Sequence, residues 1–175
     1  MNNKSYKKTD TKNKSTVHDT IKSLNNEYRE ICKKMMDILI KGTQNKSYPW
    51  SNISDIMDNE NLKYTNPELY ELISENKFHK IIRNKSFFFK LKSVSVYLLY
   101  EFFENHTAST LSFNLYLQTF KEDSQNKYSN KIIKVESTKE ECENLFNAIL
   151  SYVNNANSKI SEYLTQFIES EYNSN

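Results

Sequence analysis

Three histidines, two cysteines and 22 carboxylates are the side chains of this chain with the types needed for acid–base, nucleophilic or metal chemistry. Nucleophilic catalysis needs a base beside a nucleophile and an orienting group beside the base. Only His18, His79 and His106 offer an imidazole, and none stands in a local catalytic signature. His79 and His106 adjoin apolar residues or an expected helix end and read as structural. Cys32 and Cys142 have neither zinc nor redox spacing, and no His-x-x-x-His or Cys-x-x-Cys pair exists. A disulfide between them is the lesser expectation, and a reducing compartment the better one. The acids are scattered, with no Asp-x-Asp-x-Asp-Gly calcium loop, and Glu140 with Glu141 reads as a solvated helix start. The expectation is a chain with no catalytic residue, metal site or cofactor of its own, hence not an enzyme.

The elements that would position any site are read from composition and periodicity. The chain has 175 residues, which suits one domain, and it contains a single glycine, two prolines, 23 asparagines and 22 lysines. One glycine excludes phosphate-cradling loops, which need several close together. It also speaks against folds built on tight Gly/Pro turns. The Asn and Lys abundance reads as the mark of an A/T-rich genome. The expectation is therefore an all-α, multi-helix bundle.

Residues 1–16 hold five lysines and one acid, and read as a flexible basic arm able to touch anionic lipid. The net charge is +2, and after residue 16 the basic residues are balanced by acids, so no nucleic-acid partner is expected. No apolar run is long enough to span a bilayer and no secretory signal opens the chain, so it reads as cytoplasmic, at most peripheral to a membrane.

Residues 17–175 read as one helical domain. Val17, Ile21, Leu24, Tyr28, Ile31, Met35 and Ile38 recur at steps of three and four, predicting a helix over 17–41 that Gly42 stops. Such a stripe reads as core; a coiled-coil dimer is the lesser reading, given Tyr28 and Lys33-Lys34. Ser51 or Ser54 caps a short helix, and Asn66-Pro67-Glu68 is the clearest helix start in the chain. The densest apolar stretch, 87–103, reads as the central helix, with another deeply buried helix over 108–121. Residues 122–131 read as loop, as does the short run 132–135. Ser137 with Glu140 forms a capping box for a helix that Asn154–Asn157 breaks, and a last helix ends near Tyr172.

The segment 97–121, YLLYEFFENHTASTLSFNLYLQTFK, resembles the central signature of regulator of G-protein signalling (RGS) domains. Leu111, Phe113, Leu115, Phe120 and Lys121 fall at the matching steps, and Asn105-His106-Thr107-Ala108 looks most like the fungal branch. The run 166–172, QFIESEY, is similar to the family's closing motif, and the matched core covers about 78–172. Ser109-Thr110 stands where the family has Glu-Asn, and Gln166 where it has Arg.

The resemblance implies a protein that binds a heterotrimeric G-protein α subunit and accelerates its GTP hydrolysis by holding the switch loops, supplying no group to the broken bond. It implies a contact surface of Ser109, Thr110, Ile133, Lys134, Glu162, Tyr163 and Gln166. The alternative is a helical interaction or scaffold protein without that activity, either a degenerate RGS-like domain or a viral regulator that binds a partner helix in a groove.

Overall fold

The computed structural model describes residues 9–105, 107–122 and 128–172. It is not an all-α bundle. Among the described residues two long helices, α1 (Thr9–Gln44) and α5 (Lys139–Tyr172), enclose in sequence three short α-helices, a 3-10 turn (Arg83–Lys85) and six strands. The short helices are α2 (Ser54–Met57), α3 (Leu62–Thr65) and α4 (Pro67–Ile73). The strands are β1 (Ser51–Asn52), β2 (His79–Ile81), β3 (Phe87–Lys90), β4 (Val94–Glu104), β5 (Ser109–Glu122) and β6 (Tyr128–Val135). They form one antiparallel sheet in the order β1-β3-β4-β5-β6, and β2 pairs β4 beyond the end of β3.

The expected central helix over 87–103 is the β3–β4 hairpin, and the expected helix over 108–121 is β5. Side chains alternate across a strand, so β4 sends Val96 and Leu98 to one face and Tyr97, Leu99 and Glu101 to the other. Each face has its own apolar layer. Cys32, Met36 and Leu39 of α1 and Cys142, Leu145 and Ile149 of α5 meet Phe87, Phe89, Val96, Leu98, Leu115 and Val135. On the opposite face Ile53, Leu62, Leu69 and Ile73 meet Ile81, Tyr97, Leu99 and Tyr116. Leu98, Leu115, Leu145 and Ile149 are wholly buried, each worth about 1.5–3 kcal/mol in transfer free energy. A sheet covered on both faces gives its middle strands near-continuous apolar runs, and at this length such runs resemble a buried helix.

Scarcity of glycine does not prevent this sheet because asparagine side chains build its turns. Asn105 Oδ1 accepts from the backbone N–H of Thr107 and Ala108 between β4 and β5. Asn76 Oδ1 accepts from Phe78 and His79 N–H ahead of β2. These side chains stand in for a backbone acceptor and need no positive φ. The expected loop over 122–131 is in part strand, since β5 reaches Glu122 and β6 begins at Tyr128. The run 132–135 is likewise β6.

Helix boundaries were shifted relative to expectation. Gly42 does not stop α1; it lies inside the last turn, where a Cβ would collide with the Tyr48 ring. The stop is at Lys46, whose φ of 60° is left-handed. Ser47 N–H reaches Gly42 O at 2.8 Å and Lys46 N–H reaches Thr43 O at 3.0 Å, closing the helix end. Asn66 caps α4 as expected, with Leu69 N–H donating to its Oδ1 and Pro67 in the first turn. The capping box of α5 sits one residue later than expected. Thr138 N–H donates to Glu141 Oε2, and Glu141 N–H donates to Thr138 Oγ1. Asn154–Asn157 does not break α5, because the helix cost of an asparagine is only about 0.7 kcal/mol.

Of the expected basic arm, residues 1–8 lie outside the described residues and 9–16 are the first turns of α1. Among the described residues no helix is long and apolar enough to cross a membrane.

Candidate functional site

Among the described residues, a buried polar cluster around Glu101 and an exposed apolar stripe on α1 stand out. The cluster grows from Glu101, 1% exposed in the middle of β4. The β4–β5 register sets Asn114 opposite Leu99, and alternation brings Asn114 and Tyr116 to the Glu101 face. The β2–β4 register brings His79 opposite Phe103, on which its ring stacks at 4.5 Å. Glu101 Oε1 lies 2.9 Å from His79 Nε2, while Oε2 accepts from Asn114 Nδ2 at 2.7 Å and Tyr116 OH at 2.9 Å. Burial, together with the adjacent Glu101 carboxylate, pushes the Tyr116 phenol well above the usual tyrosine range.

A carboxylate orienting an imidazole is two-thirds of a nucleophilic triad. Among the described residues, however, no hydroxyl or thiol is hydrogen-bonded to the other ring nitrogen of His79. Nor does any group of three potential metal ligands form among them. Cys142 is 1% exposed and hydrogen-bonded to Ser137, and burial pushes its thiol up, away from the reactive thiolate. Both cysteines are free. The Glu101 cluster thus resembles the second polar tie on the same face. There Gln118 and Asn66 exchange amide hydrogen bonds at 2.7 and 2.9 Å, and Tyr97 OH donates to Gln118. That tie clamps the start of α4 to the sheet.

Beside the clamp, Glu68, Glu71 and Leu72 of α4 face Lys131, Ile132 and Lys134 of β6 across an open groove of about 520 Å³. Its two walls carry opposite charge.

The apolar stripe lies on α1. Every residue from 20 to 31 is exposed. The side chains expected in the core, Ile21, Leu24, Tyr28, Ile31 and Ile38, are open to solvent, with Leu24 and Ile31 at 58% and Ile38 at 60%. The core takes Cys32, Met36, Leu39 and Thr43 instead, a row just round the helix. The apolar sector of α1 is wider than the strip of sheet beneath it, so one edge is covered and the other left bare. Where α1 is covered, Trp50 Nε1 donates to Thr43 Oγ1 at 2.9 Å; in the exposed stretch Arg29 forms a solvent-exposed ion pair with Glu136 ahead of α5.

The residues expected to contact Gα are dispersed. Ser109 and Thr110 open β5, opposite Glu104 and Phe103. Lys134 and Ile133 lie on β6, opposite Tyr116 and Leu117, roughly 20 Å further along the sheet. Glu162 is exposed on α5, roughly 35 Å from that helix's start. Tyr163 and Gln166 belong to the same helix, and their side chains lie outside the described ones.

Sequence reasoning missed Glu101, Asn114 and Tyr116. The signal was available: a carboxylate inside YLLYEFF is expensive to bury and demands donors. No known family, curated protein or solved structure matches the chain.

Proposed function

We propose that the chain is a protein-interaction module that docks an amphipathic helix on the bare apolar stripe of α1. The observation that carries this reading is the exposure of Ile21, Leu24, Tyr28, Ile31 and Ile38 along one side of a helix anchored by its neighbouring side. Contiguous exposed apolar patches mark interaction surfaces, and anchors at these spacings are how one helix receives another. In this reading the Glu101 cluster holds the sheet together and takes part in no reaction.

A photo-crosslinking side chain placed at position 24 tests it, with one at exposed Glu60 as control. The expected result is a crosslinked product from position 24, lost with Ile31→Asp, and none from position 60. No product, or one indifferent to Ile31→Asp, overturns the reading.

The Gα reading requires a helical frame, whereas Ser109, Thr110, Ile133 and Lys134 lie on strands and Glu162, Tyr163 and Gln166 far along α5. Single-turnover GTP hydrolysis by a Gα protein is expected to be unchanged by this chain. Acceleration would favour the Gα reading over the one proposed.

A further inference from the structure

We infer that the stripe of α1 receives a second copy of this chain, α1 against α1 and antiparallel, and this rests on the docking reading above. The sequence of the stripe has a seven-residue repeat. Ile21, Tyr28 and Met35 mark one position of the repeat, and Leu24, Ile31 and Ile38 the other. These are the a and d positions of a two-stranded coil. All but Met35, which is half-buried, are exposed, over roughly 26 Å of helix.

The two flanks of this seam differ. On one flank Cys32 and Leu39 occupy e positions and are buried against the sheet. On the other flank Glu27 and Lys34 occupy g positions and are exposed, with no ion-pair partner among the described residues. Only the g flank is free to meet a partner.

That asymmetry selects the orientation. In a parallel pair, g residues meet e residues, so Glu27 and Lys34 would be directed at Cys32 and Leu39, which the sheet already covers. In an antiparallel pair, a meets d, g meets g and e meets e, and with the two-fold axis between residues 29 and 30 the covered Cys32 and Leu39 of the two copies lie at opposite ends of the e flank, leaving the g flank clear. Tyr28 then packs on Ile31 of the second copy, Leu24 on its Met35 and Ile21 on its Ile38. Glu27 faces Lys34 of the second copy, and the two-fold axis repeats that opposite-charge pair. The surface is therefore self-complementary in both shape pattern and charge, as a closed two-fold interface requires. Lys33 falls at an f position on the far side of the helix and does not obstruct the seam.

Sedimentation equilibrium of the full chain at about 100 µM is expected to give twice the 20.8 kDa chain mass. Leu24→Asp is expected to give the monomer with an unchanged circular dichroism spectrum, because Leu24 touches no core layer. Glu27→Lys and Lys34→Glu each set like charges face to face, and each is expected to weaken the dimer about tenfold. Combined, they recreate the opposite pair and are expected to restore the dissociation constant to within about threefold. A native mass of 20.8 kDa at that concentration overturns self-association. So does a dimer indifferent to Leu24→Asp. A double reversal weaker than either single change overturns the antiparallel register. If the chain is monomeric while position 24 still crosslinks to another protein in an Ile31-dependent way, self-association fails and the docking reading stands.

Discussion

Glu101 takes a carboxylate into the layer between the sheet and the short helices, where a charge without partners would cost several kcal/mol. His79, Asn114 and Tyr116 satisfy both of its oxygens. The three come from β2 and β5, on either side of β4, so the cluster fixes the register of both neighbours at once. Tyr116→Phe removes one donor to a charged acceptor and is expected to cost about 2 kcal/mol at pH 8, read by urea unfolding. The cost changes with pH in a defined direction. Because the folded phenol is held above the ordinary value, the folded state keeps the Tyr116 proton when the unfolded chain loses it. That contribution is complete below about pH 10 and is lost as pH rises beyond it. At pH 11 the native chain has lost about 1.4 kcal/mol on this account and the Phe variant has not, so the gap between them narrows by that amount. A gap that is constant from pH 8 to pH 11 would show that Tyr116 ionises equally in both states.

The elements differ in how plainly the sequence announces them. α1, α4 and the two halves of α5 are legible from three-four periodicity and from capping residues such as Asn66, because a helix end must satisfy its own backbone groups locally, whereas the continuity of α5 through Asn154–Asn157 is not. Nor is the sheet, although LSFNLYLQ over 111–118 alternates strictly and points to a strand. The neighbouring run of Phe and Leu in 87–103 carries no such signal, since a strand buried on both faces loses its alternation. Scarcity of glycine points away from a sheet only while turns are assumed to need it, and here Asn76 and Asn105 take the turn role. Of the candidate interface, the stripe itself was legible and its exposure was not. Which edge of a wide apolar sector is covered depends on the sheet, not on the helix. Gly42 shows the same limit at the end of α1. In an ordinary helix interior Gly→Ala stabilises by about 1 kcal/mol. Here the new methyl group would strike the Tyr48 ring, which stacks on Phe89 at 4.6 Å. Gly42→Ala is therefore expected to destabilise by about 1–3 kcal/mol, lowering the thermal midpoint. A raised midpoint would mean that Tyr48 swings aside without loss.

At the scale of the whole molecule, a three-layer body carries a helix that runs on past its own core. The body has two apolar layers, to which the stripe contributes only half-buried Met35. Association through the stripe would nonetheless add to stability by mass action, since the second copy recognises only the folded chain. A tenfold rise in total concentration adds about 1.4 kcal/mol per dimer, or half that per chain. For a chain of 175 residues this corresponds to a thermal midpoint about 2 °C higher for each tenfold step. Leu24→Asp is expected to remove the association and leave the body intact, since Leu24 belongs to neither apolar layer. Its midpoint is expected to stay constant with concentration and to equal that of the native chain at high dilution. Differential scanning calorimetry over a hundredfold range of concentration reads both slopes. Equal slopes for the two chains would separate the stripe from any dimer, and a variant midpoint far below the diluted native one would mean that the stripe supports the fold rather than a partner.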